Sequence, residues 1–105
     1  MFKRVVHPGE ILKEELDALD VTLIEFARQI DVPPNRVSQI IAGKRSITGD
    51  TALRFGHWFV IDPQFWLNLQ MQHDLAIADR EIGKVIRYLP TKENLVTRRS
   101  PAGAE

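Results

Sequence analysis

Apolar residues in the first half of the chain recur three and four positions apart, which is the spacing of amphipathic helices. Three such stripes follow one another: Leu12, Leu16 and Leu19; Leu23, Phe26, Ala27 and Ile30; and Val37, Ile40 and Ile41. The second is the clearest, because its members fall at i, i+3, i+4 and i+7. We therefore predict three short helices before residue 43.

Residues that start and stop helices stand at the ends of these stripes. Pro8 suits the first position of a helix, and the preceding residue, His7, is expected to end an extended arm. Thr22 with Glu25 three residues later is the pattern of a capping box. Pro34 opens the third helix, and Gly43 ends it at a position that glycine favours.

Two further helices are predicted in the second half. Thr48 is the expected cap of the fourth, whose buried side is predicted to comprise Ala52, Leu53, Gly56, Phe59 and Val60. Asp62 is the expected cap of the fifth, which would run from Pro63 to about Asp79. The fifth helix is apolar on more than one side, so we expect one side in the core and the other at a dimer surface.

The pattern weakens after Asp79. Residues 84–89 contain β-branched and aromatic side chains, which are compatible with a short strand that ends at Pro90. Residues 98–105 are expected to be disordered. The predicted fold is thus an all-α domain of five helices at residues 8–79, with an N-terminal arm at 1–7 and a C-terminal extension at 80–105.

The distribution of charge carries more information than its total. The 105 residues have a formal net charge of zero, yet residues 28–54 carry five basic and two acidic side chains. Because a phosphate backbone responds to the local field, this basic block remains compatible with nucleic acid. The chain has no cysteine and no apolar run of the roughly 18 residues that a membrane span requires. We expect a cytoplasmic protein.

The candidate chemistry lies in the predicted third helix and the residues after it. Asn and Gln can pair with adenine and Arg with guanine, and an α-helix fits the major groove of duplex DNA. We predict base contacts from Arg36 and Gln39 and phosphate contacts from Thr22 and Lys44. The full predicted DNA-binding set is Thr22, Pro34, Asn35, Arg36, Ser38, Gln39, Lys44 and Arg45.

Residues 22–45 resemble the Xre/Cro-like helix-turn-helix family, whose domains have the lambda-repressor fold. The matching residues are Ala27, Val32, Val37, Ser38, Ile40 and Gly43. Asp31 replaces the usual turn glycine of that family, but aspartate tolerates a left-handed backbone moderately well. The segments His7–Leu12, Ile47–Arg54 and Pro63–Gln70 further resemble the HigA/VapI-like antitoxins, the last being close to the "PEFWLNLQ" of that group.

This resemblance implies a role that the residues alone do not show. Such antitoxins neutralise a small RNA-cleaving toxin by binding it, and they repress their own operon as homodimers on palindromic DNA. The dimer contact of the group lies in the C-terminal helix, which here implies Phe65, Trp66 and Leu69.

Other classes of function fit the sequence less well. The spacing of His7, His57 and His73 matches no metal-ligand motif, no cofactor-binding loop is present, and no nucleophile is paired with a base. An enzyme is therefore not expected. Two alternatives stay open, namely a toxin-binding module that does not bind an operator and a stand-alone repressor.

Overall fold

The computed structural model describes the backbone of residues 4–99 and the side chains of residues 4–95. Its elements are α1 (Pro8–Leu19), α2 (Leu23–Ile30), α3 (Pro34–Ile41), α4 (Gly49–Phe59), α5 (Pro63–Arg87) and α6 (Lys92–Arg99). The described residues contain no strand, so the all-α prediction is confirmed. None of these helices combines the length and the hydropathy that a membrane span needs.

The five helices from α1 to α5 share one apolar core. Its buried members are Leu12, Leu16, Phe26, Ala27, Ile30, Val32, Val37, Ile40, Ile47, Ala52, Phe55 and Trp66. Phe55 lies at the centre of an aromatic cluster, with ring centroids 5.4 Å from Phe26 and 5.2 Å from Trp66. The Trp66 side chain is only 1% exposed. A side chain so deep in the core cannot contact a second subunit, and this corrects the prediction that Trp66 lies in a dimer interface.

The buried side of α4 also differs from the prediction. Leu53 is exposed, and so is Val60, whereas Phe55 is fully buried. Val60 follows the last residue of α4 with a left-handed backbone (φ 58°), which turns the chain away from the core. The apolar periodicity would place Val60 on the buried side only if α4 continued through it. Because α4 ends at Phe59, this prediction is wrong.

The end of α5 corrects two further predictions. The helix does not stop at Asp79 but runs to Arg87, so residues 84–87 are helical and not a strand. A helix satisfies its own backbone hydrogen bonds, whereas a strand here would have no partner strand among the described residues. Arg98 and Arg99, predicted to be disordered, belong to α6, and residues 100–105 lie outside the described part.

The turn between α2 and α3 confirms what was expected of Asp31. This residue has a left-handed backbone (φ 60°, ψ 50°). The N–H of Val32 then donates to the carbonyl of Ala27 at 3.0 Å. This bond closes the C-terminus of α2 in the manner of a Schellman motif and sets the direction in which α3 leaves.

A glycine permits the close approach of α1 to α3. A Cβ atom built on Gly9 would lie 1.9 Å from the carbonyl oxygen of Ile40 and 2.9 Å from the Cα of Ile41. Both atoms belong to the backbone of α3, so no side-chain rotation could relieve the overlap. The position of α3 on the core therefore depends on a residue without a side chain in α1.

His7 caps the N-terminus of α1. Its ring Nδ1 accepts a hydrogen bond from the N–H of Gly9 at 2.9 Å. The ring is buried, and its centroid lies 4.8 Å from that of His73 on α5. Burial lowers the pKa of His7 below its ordinary value of 6.5, and the neighbouring His73 lowers this pKa further. A protonated Nδ1 could not accept the capping bond, so the fold requires the neutral ring.

We expect the free energy of unfolding to fall as the pH is lowered through about 6.5. Below that pH the unfolded chain protonates His7 while the folded chain resists, because its pKa is lower; well above 6.5 both states are neutral and this contribution is constant. Urea unfolding at several pH values between about 7.5 and 5.5 measures the slope of the free energy of unfolding against pH. The variant His7→Asn keeps a capping side chain and should reduce the slope, whereas Gln72→Asn, which replaces an exposed side chain without a titratable group, should not. An unchanged slope in His7→Asn would show that His7 is not the source of this pH dependence.

Candidate nucleic-acid interface

The helix pair α2 and α3 presents α3 on the surface of the domain. Val37 and Ile40 of α3 are buried against Phe26, Ala27 and Ile30 of α2 in the common core. Ala27 is small enough to let the two helices pack closely. One side of α3 is thereby held in the core, and the opposite side faces solvent.

The solvent side of α3 carries the predicted base-reading residues. Pro34, Asn35 and Ser38 are exposed, while Arg36 and Gln39 are half-buried. Pro34 is the first residue of the helix, so Asn35 and Arg36 lie in its first turn. The early residues of a helix that enters the major groove are those that reach base edges. The structure thus brings these five residues together on one surface.

Two cations extend this surface beyond the end of α3. Gly43 has a left-handed backbone (φ 77°), and the N–H of Lys44 donates to the carbonyl of Gln39 at 2.8 Å. Lys44 and Arg45 are both exposed. The Nε of Arg45 donates to the Oε1 of Gln39 at 2.9 Å, which orients the amide of Gln39. Arg45, a member of the predicted DNA-binding set, is therefore linked to a predicted base reader.

Thr22 occupies the N-cap position of α2. Its Oγ1 accepts a hydrogen bond from the N–H of Glu25 at 3.1 Å. The predicted capping box is only half formed, because the carboxylate of Glu25 pairs with Arg28 and Gln29 instead. Thr22 is exposed at the positive end of a helix, where an anion is favoured.

An ion-pair network that the sequence did not reveal supports α3 from α4. Asp50 Oδ1 accepts a hydrogen bond from Arg54 Nε at 2.8 Å and lies 3.6 Å from Arg36 Nη1. Arg54 Nη1 also donates to the carbonyl oxygens of Ile30 at 2.8 Å and Asp31 at 3.2 Å. The hydrogen bond from Arg54 lowers the pKa of Asp50 below its ordinary value, and the charges of Arg54 and Arg36 add to this. Arg36 is therefore connected to the turn before its own helix.

A buried glutamine anchors the segment between α3 and α4. Gln70 of α5 is only 6% exposed, and its Oε1 accepts a hydrogen bond from the N–H of Ile47 at 2.7 Å. Its Nε2 donates to Asp74 at 2.9 Å. Ile47 lies two residues after Arg45, the second of the two exposed cations. Gln70 therefore helps to hold the basic segment on the body of the domain.

We expect Gln70→Ala to lower the free energy of unfolding by about 2–3 kcal/mol, because it leaves the buried N–H of Ile47 without a partner and opens a small cavity. Exchange of the Ile47 amide hydrogen should accelerate. The exposed Gln72→Ala on the same helix is the control and should cost under about 0.5 kcal/mol. Equal losses in the two variants would contradict the anchoring role.

Helix α5 exposes apolar side chains on the side away from the core. Phe65 is 44% exposed and Leu69 is half-buried, so both remain predicted dimer contacts. Further along, the α5 stripe comprises Met71, Leu75, Ile82 and Val85, which are 49–65% exposed. With Ala78, which is also exposed, these residues alternate four and three positions apart, the spacing of a seam between two helices.

Comparison with known proteins agrees with this geometry. A helix-turn-helix family model matches residues 12–55, which span α2, α3 and most of α1 and α4. Virulence-associated protein I of Dichelobacter nodosus is 42% identical over 86 residues, covering 81% of this chain and 80% of that protein.

Solved structures show the same fold. An addiction module antidote protein of the HigA family from Coxiella burnetii has a TM-score of 0.83 and 47% identity, with 85% of this chain and 98% of that chain covered. The Pseudomonas aeruginosa antitoxin HigA, solved with the higBA promoter, has a TM-score of 0.80 and 38% identity, with 84% and 97% covered. Proteins of this kind are DNA-binding regulators and antitoxins, not enzymes. The chain therefore belongs to the Xre/Cro-like helix-turn-helix family and, within it, to the HigA/VapI-like group.

Proposed function

We propose that this protein is the antitoxin of a toxin–antitoxin module, which represses its own operon by binding a palindromic operator as a homodimer and neutralises a partner RNase toxin. The observation that carries the DNA-binding part is the surface of α3, where five predicted contact residues lie together and two exposed cations follow. Since operator DNA is its target, we place the protein in the cytoplasm.

The chemistry of the α3 surface suits sequence-specific binding. Arg36 supplies a planar fork of donors for guanine, and Asn35 and Gln39 supply amides for adenine. Lys44, Arg45 and Thr22 lie around this surface and would hold phosphates. The neutral total charge of the chain does not oppose this, because the cations are concentrated where the helix would meet the duplex.

The exposed apolar face of α5 and the proposed palindrome support the homodimer part of the proposal. A two-fold dimer uses the same patch on both subunits, and the α5 stripe is a patch that would be buried by a second copy. Phe65 and Leu69, which lie on other sides of α5 than the stripe, remain the dimer contacts that the family resemblance implies. Two α3 helices about 34–36 Å apart would then enter successive major grooves.

The toxin part of the proposal rests on the relatives. The Coxiella burnetii structure is described as an addiction module antidote protein and the Pseudomonas aeruginosa structure as an antitoxin. Both cover more than four fifths of this chain, so a shared role is the economical inference. Co-purification with the product of a small adjacent reading frame, with loss of its RNase activity, would test this part. Absence of such a neighbour would favour a stand-alone repressor.

Replacing the main predicted base reader tests the operator part. We expect Arg36→Ala to weaken operator binding by about 1–3 kcal/mol and to relax the preference at one base pair. Lys44→Ala is the matched control, because loss of a phosphate contact should weaken all sequences alike. Titrations against the operator and single-base variants measure both effects. A uniform loss in Arg36→Ala would remove the base-reading role from this residue.

A further inference from the structure

We propose that Asp50 is a positioning residue that holds the Arg36 guanidinium for base reading and keeps it from binding phosphates indiscriminately. The inference rests on the proposed operator binding. It comes from the network that joins Arg36 to Asp50 and Arg54 of α4, and the predicted DNA-binding set includes neither Asp50 nor Arg54.

The first step is that Asp50 is itself held in place. It lies in the first turn of α4, where the helix favours a negative charge. Arg54, one turn further along, donates to its Oδ1 at 2.8 Å. The same Arg54 binds the carbonyl oxygens of Ile30 and Asp31. The carboxylate is thus fixed to the turn that orients α3.

The second step concerns the geometry at Arg36. Its Nη1 lies 3.6 Å from the Oδ1 of Asp50, and its side chain is 35% exposed. An arginine has five N–H donors in a rigid fork, so a contact through Nη1 leaves other donors for a base. A fixed carboxylate at one edge of the guanidinium restricts its rotation. An ordered arginine pays less conformational entropy when it pairs with guanine.

The third step concerns charge. Without Asp50, the α3 surface would carry one more net positive charge, and Arg36 would be free to reach a phosphate. Phosphate contacts raise affinity for every sequence and steepen its dependence on salt. The carboxylate is therefore expected to lower binding to unrelated DNA more than binding to the operator.

Asp50→Asn tests this, because asparagine preserves size and can still accept the hydrogen bond from Arg54. Against scrambled DNA we expect affinity to rise about fivefold and the salt slope to steepen by about one. The ratio of operator to scrambled affinity should fall about tenfold. Glu14→Gln is the matched control: it removes one exposed negative charge from α1 and should leave this ratio within about twofold of wild type.

The possible outcomes separate the two proposals. If the wild type does not prefer the operator, the proposed function fails, and this inference with it. If the wild type prefers the operator but Asp50→Asn behaves like Glu14→Gln, only this inference is overturned. Asp50→Glu, which retains the charge, should keep the salt slope of the wild type. A slope equal to that of Asp50→Asn would overturn the positioning role.

Discussion

Gly9→Ala should lower the free energy of unfolding by about 3 kcal/mol or more, with a fall in melting temperature of about 12 °C or more. The new methyl group would lie 1.9 Å from the carbonyl oxygen of Ile40, so α1 and α3 would have to separate. That separation would disturb the core beneath the proposed DNA-binding surface. Thermal unfolding followed by circular dichroism measures the effect.

Gly49→Ala is the matched control for this variant. A Cβ atom on Gly49 would meet no heavy atom within 4 Å, and the residue is the first of α4. Replacing such a glycine restricts the unfolded chain and should stabilise the protein by about 0.4–1 kcal/mol. Similar melting temperatures for Gly9→Ala and the wild type would show that the helices adjust without cost, contrary to the close approach described above.

Leu75→Glu should convert the proposed homodimer into monomers and reduce operator affinity by about 100-fold. Leu75 is 64% exposed in the α5 stripe. In a two-fold dimer the substitution would place two carboxylates in an apolar contact, where they are neither paired nor hydrated. A monomer would bind a single half-site and lose the gain from binding both halves at once. Light scattering measures the mass, and a DNA titration the affinity.

Gln72→Glu adds the same charge to α5 outside the stripe, on the helix face of Phe65 and Leu69. If the stripe forms the contact, this variant should keep the mass and the affinity near those of the wild type. Because Leu75 and Gln72 are both exposed, neither substitution should unfold the domain. A Leu75→Glu protein that remains dimeric would move the proposed contact away from the stripe, and Phe65 would then be the next position to test.

The sequence predicted most of the DNA-binding half of the fold, because local rules determine it. The stripe from Leu23 to Ile30 identified α2, and Pro34 and Gly43 marked the bounds of α3 to within two residues. Asp31 takes the left-handed conformation that its place in the turn required. In this region helix propensity, apolar spacing and turn chemistry all favour the same structure.

The errors have two causes, which are local hydrogen bonding at the end of α5 and distant contacts elsewhere. The β-branched residues after Lys84 favoured a strand locally, but α5 continues there because helical hydrogen bonds need no partner. Trp66 was assigned to an interface from the family resemblance, whereas the aromatic rings of Phe55 and Phe59 enclose it in the core. The Asp50 network joins residues 14 to 24 positions apart, and no local pattern announces such contacts.

Operator binding is the central claim, and one titration tests it most directly. The wild-type protein is titrated against the DNA immediately upstream of its own gene and against scrambled DNA, each at two salt concentrations. We predict selective binding to a palindrome within the upstream DNA, weakening steeply as salt increases. Equal and weak binding to both DNAs would contradict the account, and the surface of α3 would then have to be explained by a protein partner.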